Sequence, residues 1–307
     1  MDRNTVIGLI LIGAVLIGWG FLTKPSPEQI ERSRQIRDSI QNVNNTRAAE
    51  ALKIEQEKSS QVAITDADQK NATIANQPFG GFNSALQGEN QYYVIENEKM
   101  IFKISKRGGR PYSVQLKEFT TYDSLPLYLF TGDTTFFGLT FIAQNANQPI
   151  KTNNLFWEKT EESTTDSSSI IKLRLNVEAE KYIEYTYTVR KNDFLVDFSM
   201  NIVNMSNVIR SNYLTFDWSY MIPRSEKSLK WERQRSTIYY KYAAGETDYL
   251  SETSDDEKKL TEKVKWVGLK THFFSTIILA KESINEVFIK TRNLSDLNHV
   301  KEMSMSA

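Results

Sequence analysis

There is no cysteine anywhere in this 307-residue chain. That excludes disulfides, thiolate metal sites and cysteine nucleophiles, and it makes an oxidising compartment harmless. Histidine is nearly absent too, with His272 and His299 the only two. Most catalytic and metal-binding constellations draw on imidazole, so their scarcity argues against an enzyme. Net charge is missing as well: 38 basic side chains stand against 38 acidic ones. A neutral chain has no general electrostatic pull toward nucleic acid, and no nucleic-acid partner is expected.

Chemical motifs are equally scarce. Arg107-Gly108-Gly109-Arg110-Pro111 is glycine-rich and basic, but it lacks the phosphate-loop and dinucleotide spacings and no helical pattern follows it. Paired glycines supply positive φ, so the stretch reads as a hairpin turn. His272 sits in an apolar alternating stretch and reads as a sheet histidine, with no carboxylate or second histidine at ligand spacing. Asp255-Asp256-Glu257 lacks the calcium-loop pattern, and no GxSxG occurs. No catalytic, cofactor-binding or metal-binding residue is assigned, and no cofactor is expected. The 5 Trp, 14 Tyr and 16 Phe fit core and sheet-face packing, and some could line a groove.

What is present begins with one long apolar run. Residues 5–22 (TVIGLILIGAVLIGWGFL) carry no charge. At about 1.5 Å per residue they span most of a bilayer core of roughly 30 Å. The run exceeds a signal-peptide core of about 7–15 residues, and its only small-x-small exit is Gly18-Trp19-Gly20. Residues 1–23 are therefore expected to be an uncleaved transmembrane anchor in contact with the lipid bilayer. Residues 24–91 form a partly helical polar tether. Ser26-Pro27-Glu28-Gln29 resembles a helix start, and Ile36, Ile40 and Val43 follow at helical spacing. The composition then turns to Ser, Gln, Asn, Asp and Ala up to Pro78-Phe79-Gly80-Gly81, too polar to build its own core.

From Tyr92 the period changes to two. Met100, Phe102 and Ile104 alternate with polar neighbours, as do Tyr112, Val114 and Leu116. Ile171 to Val177, Ile183 to Val189, Phe194 to Ile202 and Leu214 to Tyr220 repeat the pattern, with a turn at Arg190–Asp193. Such alternation predicts half-buried, mostly antiparallel strands. Ser251–Lys263 (SETSDDEKKLTEK) reads as a solvated loop or short surface helix. Val264–Ala280 reads as a central strand pair or one long strand, and His299–Ala307 as a strand without a terminal turn. Residues 92–307 are thus expected to be one all-β domain, a large antiparallel β-sandwich, truncated at its C-terminal end.

These stretches resemble the N-terminal part of YidC-type bacterial membrane protein insertases, in the form typical of Bacteroidetes. The resemblance lies in Met1-Asp2-Arg3-Asn4 followed at once by the apolar run. It lies also in VIENEKMIFKISKRGGRPYSVQLKEFTTYDSLPLYLF (94–130), with Asn97, the paired glycines, Leu116 and Tyr122. IEYTYTVRKNDFLVDFSMNIVN (183–204) and KWVGLKTHFFSTIILA (265–280) are similar to later family segments. The resemblance implies a galactose-mutarotase-like supersandwich. It implies a role in inserting and folding inner-membrane proteins, alone or beside the Sec translocon, without nucleotide or metal. The family's insertase groove is built from five later transmembrane helices, which this stretch does not contain. No insertase residue is carried over, and residues 1–307 alone are expected to lack insertase activity.

Basic residues after the run (Lys24, Arg32, Arg34, Arg37) outnumber Arg3 and the amino terminus before it. A simple positive-inside count would leave the β domain in the cytoplasm, but long domains translocate largely regardless of charge. The resemblance implies a single pass through the bacterial inner membrane, N-terminus cytoplasmic and β domain periplasmic. The alternative readings are a membrane-anchored mutarotase-like carbohydrate- or peptide-binding domain, and a plain tethered spacer.

Overall fold

The structure is a computed structural model, and it describes residues 79–307 apart from 145, 147, 179 and 211–213. The expected anchor and most of the expected tether lie outside the described residues. Among the described residues no helix is long and apolar enough to cross a membrane.

The chain enters a first sheet as a meander of β1 (Tyr92–Glu96), β2 (Met100–Ser105), β3 (Arg110–Thr120) and β4 (Pro126–Thr131). β5 (Phe136–Phe141) and the two-residue β6 (Ile150–Lys151) leave for a second sheet. A third sheet is again a meander: β7 (Glu158–Thr164), β8 (Ser168–Glu178), β9 (Lys181–Arg190) and β10 (Val196–Val203), with β10 outermost. β11 (Thr215–Pro223) returns to pair with β5, and the short helix α1 (Leu229–Arg233) follows. The remaining strands are β12 (Thr237–Tyr242), β13 (Thr247–Tyr249), β14 (Asp256–Leu260), β15 (Val264–Lys270), β16 (Ser275–Ile284), β17 (Val287–Asn293) and β18 (His299–Ser306). They complete the second sheet in the order β14-β17-β18-β11-β5-β6, and they build a fourth in the order β13-β12-β15-β16. Every pairing between these strands is antiparallel.

Alternation explains most of this. Ile171, Leu173 and Leu175 on β8 and Ile183, Tyr185, Tyr187 and Val189 on β9 are all buried. Their intervening neighbours meet water, where Arg174 pairs with Glu184 at 2.7 Å across the two strands. The apolar faces of three sheets converge on Phe137 of β5. Its ring lies 4.9 Å from Phe198, 5.0 Å from Phe216 and 6.5 Å from Tyr187, and Phe102 of β2 packs on Tyr187 at 5.7 Å. Such aromatic clusters carry a large share of a β-sandwich's packing energy. The fold is all-β and antiparallel, as the period of two predicts.

The expected strand pair over Val264–Ala280 is β15 and β16, and the expected last strand is β18. Ser251–Lys263 departs from the expectation of a loop or short helix, because Asp256–Leu260 forms β14. Leu260 supplies its one buried apolar anchor, and Glu257 faces Lys290 at 2.5 Å on β17. A solvated edge strand needs no apolar alternation, so its charges conceal it. Residues 80–86, within the stretch read as tether, form a 3-10 helix whose Phe82 is fully buried, 5.2 Å from Phe141. Phe156 N–H donates to Ala85 C=O at 2.7 Å, so the core takes in residues ahead of Tyr92.

Candidate functional site

A cleft of about 1510 Å³ opens where the sheets converge. Its floor is apolar: Phe102 from β2, Leu116 from β3, Phe130 from β4, Tyr187 from β9 and Trp218 from β11. One wall is β10 with the turn before it, contributing Phe194, Val196, Phe198 and Met200. The facing wall is β16 with its hairpin turn, from Phe273 to Lys281. Both walls are outermost strands of their sheets. The rim exposes large apolar side chains, most of all Phe273 at 68% and Leu279 at 59%. Contiguous exposed apolar surface of this kind marks a binding site in a folded protein.

The lips are held by polar hubs. Asn97 follows β1 and uses both ends of its amide. Its Nδ2 donates to Arg190 C=O at 2.7 Å and Asp193 C=O at 2.8 Å, and its Oδ1 accepts from the N–H of Lys99 and Met100. The turn that presents Phe194 is thereby fastened to the first sheet. At the other end, Glu232 of α1 is fully buried and accepts from Ser225 N–H, Ser225 Oγ and Glu226 N–H. Arg224 donates back to Glu226 C=O and Lys227 C=O and lies 5.2 Å over the Tyr122 ring. Phe119 meets Phe274 edge-on at 5.2 Å. Burial pushes the Tyr187 phenol well above its ordinary pKa, so it stays neutral and donates to Gly109 C=O at 2.7 Å. Such a surface can hold an extended apolar ligand, and it offers little for bond chemistry.

Residues 92–307 match the YidC periplasmic domain family. The chain belongs to that family. Curated relatives named membrane protein insertase YidC include one from Parabacteroides distasonis, 30% identical over 314 residues, covering 100% of this chain and 48% of the relative. Another, from Porphyromonas gingivalis, is 32% identical over 311 residues with the same two coverages. The chain spans about half the length of the curated relatives it matches. Among solved structures, a galactose mutarotase related enzyme from Lactobacillus acidophilus aligns at 12% identity with a TM-score of 0.39. That alignment covers 70% of this chain and 84% of that one.

The residues that carry the YidC resemblance have physical jobs. Asn97 is the hub just described, Leu116 is in the floor, and Tyr122 lines the cleft beneath Arg224. Gly108 and Gly109 are both left-handed, at φ 89° and 59°. A Cβ on Gly109 would stand 2.7 Å from the Trp157 ring. The Arg107–Pro111 stretch is a turn, as its glycines predict, and Gly108 N–H is already given to Leu155 C=O at 2.7 Å. Buried Arg110 pairs with Asp133 at 3.0 Å.

His272 corrects its sequence reading. It lies in the turn between β15 and β16 rather than in a strand, and its Nδ1 is 2.9 Å from Glu226 Oε1, a carboxylate distant in sequence. His299 bonds Asp296 at 3.0 Å, away from His272's partner. Asp255, Asp256 and Glu257 are taken up by Asn293, Ser251 and Lys290. Among the described residues no group of three or more His, Cys, Asp or Glu side chains is placed to hold a metal ion. Asn97 and both cleft walls lie in the segments that carry the resemblance, but nothing in residue order marks them as a hub or as walls, and Glu232 carries no sequence signal.

Proposed function

We propose that this chain is the tethered accessory part of a membrane protein insertase, and that its cleft receives extended apolar segments of inner-membrane proteins as they emerge. The observation that carries the reading is an open apolar cleft, rimmed by exposed Phe273 and Leu279, in a domain of the YidC periplasmic family. Residues 1–23 anchor the chain in the inner membrane, the polar stretch after them tethers it, and the β domain, with the helix Gly80–Leu86 packed into its core, faces the periplasm. Partners are the bilayer, nascent membrane proteins and, at one remove, the Sec translocon. The role is binding and guidance, without nucleotide or metal. A carbohydrate ligand is less well supported. Sugar hydroxyls need convergent polar groups, and both carboxylates lining the cleft are already paired, Asp197 with Arg190 and Glu226 with His272.

The test is site-directed photocrosslinking in cells, with the full-length protein and a radiolabelled nascent membrane protein. Crosslinks are expected from probes at Leu195 and Met200 and not from Glu161 on β7. Equal yields from all three positions would sink the reading. A periplasm-only reporter fused after Asn90 checks the orientation, and silence from it would overturn the proposed topology.

A further inference from the structure

The wall formed by β16 has a property that the cleft's apolarity does not require. Among the described residues β16 pairs only with β15. Thr271 N–H donates to Phe274 C=O at 2.7 Å, and the register continues through Leu269 with Thr276 and Val267 with Ile278. Antiparallel pairs alternate between hydrogen-bonded and non-bonded, so Ser275, Ile277 and Leu279 turn their N–H and C=O groups away from β15. Natural sheets blunt such an edge with charge, proline or a bulge. Ser275 to Ala280 has none of these: the first charge is Lys281, and the register shift comes only after Leu279.

Charge narrows the occupant. Among the described residues five charged side chains line the cleft: Asp197, Glu226, Lys227, Lys265 and Lys281. Asp197 is paired with Arg190 at 3.0 Å and Glu226 with His272 at 2.9 Å. Among the described residues the three lysines have no carboxylate partner, and Lys265 is spent on the carbonyls of Lys281 and Glu282. With Asp197 neutralised by Arg190, three lysines stand against the one remaining carboxylate, Glu226, so the cleft presents net positive charge beside an apolar floor and an unpaired strand edge. An acyl chain could fill the floor, but it cannot satisfy backbone donors and acceptors. A polypeptide strand does both.

We propose that β16 is a strand-addition site, which takes an extended apolar polypeptide segment flanked by carboxylates, paired through the outward N–H and C=O groups of Ser275, Ile277 and Leu279. This rests on reading the cleft as a polypeptide site and names how the polypeptide is held.

The experiment uses the full chain in lipid nanodiscs and a synthetic peptide of alternating valine and threonine with two aspartates at each end. Hydrogen exchange should slow at the Ile277 and Leu279 amides on binding. A peptide N-methylated at every second residue, or one with lysine flanks, should bind about tenfold more weakly or worse. Leu279→Pro removes an outward N–H from an edge, where proline is tolerated. It should abolish binding while thermal unfolding stays cooperative. As a second variant that keeps the edge intact, Lys281→Glu should weaken the aspartate-flanked peptide and strengthen the lysine-flanked one. Binding without amide protection, or equal binding by the N-methylated peptide, would overturn strand addition and leave the cleft reading standing. No binding by any peptide would overturn both. Slowed exchange at Ile277 and Leu279 produced by phosphatidylglycerol vesicles instead of peptide would replace the polypeptide with a lipid surface.

Discussion

β9 and β10 are hydrogen-bonded neighbours with the same alternating pattern, yet they meet different fates. Ile183, Tyr185, Tyr187 and Val189 on β9 are almost wholly buried. Val196, Phe198 and Met200 on β10 are only partly covered, and Ile202 is exposed. β15 and β16 repeat the contrast on one face, with Val267 buried and Ile278, directly opposite it, only partly covered. A strand's own pattern decides which side chains face one way, while its neighbours decide whether that face is covered. Both of these partly covered strands border the cleft. The apolar surface left over there is the surface available to a ligand.

The contrast breaks first on stability. Tyr185→Ala removes a fully buried ring stacked 4.1 Å from Trp157, and should destabilise by about 3–5 kcal/mol. Phe198→Ala on β10, whose ring already borders open space, should cost less than half as much. Chemical denaturation of both variants measures the ratio, and equal losses would mean that β10 is as covered as β9.

A covered strand encloses even a charge. Lys301 lies on β18, between β17 and β11, and is fully buried with its Nζ donating to Glu252 C=O at 2.8 Å. Burial pulls its pKa down from 10.5 to about 8. Below that pH both folded and unfolded states hold the proton, and the burial penalty is at its full value. Between about pH 8 and 10.5 the unfolded chain binds more protons, so stability should rise with pH, by about 3 kcal/mol in all. Lys301→Met should be more stable at neutral pH and should lose that rise. A flat wild-type profile across the same window would show that the ammonium is not desolvated.

Much of this was legible from residue order and part was not. The strands β2, β3, β8, β9, β10 and β11 announce themselves by alternation, and Gly108-Gly109 announces its turn, because each depends on neighbours in sequence. The cleft depends on which strands end up outermost, a property of topology rather than of any segment. His272 and Glu226 meet across residues far apart in the chain, so no spacing rule could pair them. β14 hid because an edge strand anchored by Leu260 alone needs little apolar pattern.

The hub at Asn97 sharpens the comparison at smaller magnitude. Asn97→Ala leaves two carbonyls and two N–H groups without their amide partner. A loss of about 2 kcal/mol is expected, because some of these groups regain water. The larger consequence is positional: the turn carrying Phe194 and Leu195 loses two of its ties to the first sheet and keeps the Glu98 N–H to Lys191 C=O bond at 3.1 Å, so it is loosened. Crosslinking from Leu195 should fall more than crosslinking from Met200, which β10's ladder to β9 still holds. Equal falls would place Asn97's role in general stability rather than in the lip.

The smallest expected effect on folding belongs to Phe194, where the comparison turns from stability to binding. Its ring is about half exposed and lines the cleft, while the turn's backbone is secured without it: Leu195 N–H donates to Asp193 Oδ1 at 3.1 Å, and Asn97 holds Asp193 C=O. Phe194→Ser should therefore stay within about 0.5 kcal/mol of the parent in denaturant, as surface substitutions do. The same change removes apolar area from the rim and should weaken the valine–threonine peptide, in proportion to the ring area it would have covered. Tyr185→Ala and Phe194→Ser each delete an aromatic ring from the same sheet region, with opposite expected readouts. If Phe194→Ser lost stability and kept its affinity, the exposed ring would be a structural prop, and the cleft's rim would have to be sought elsewhere.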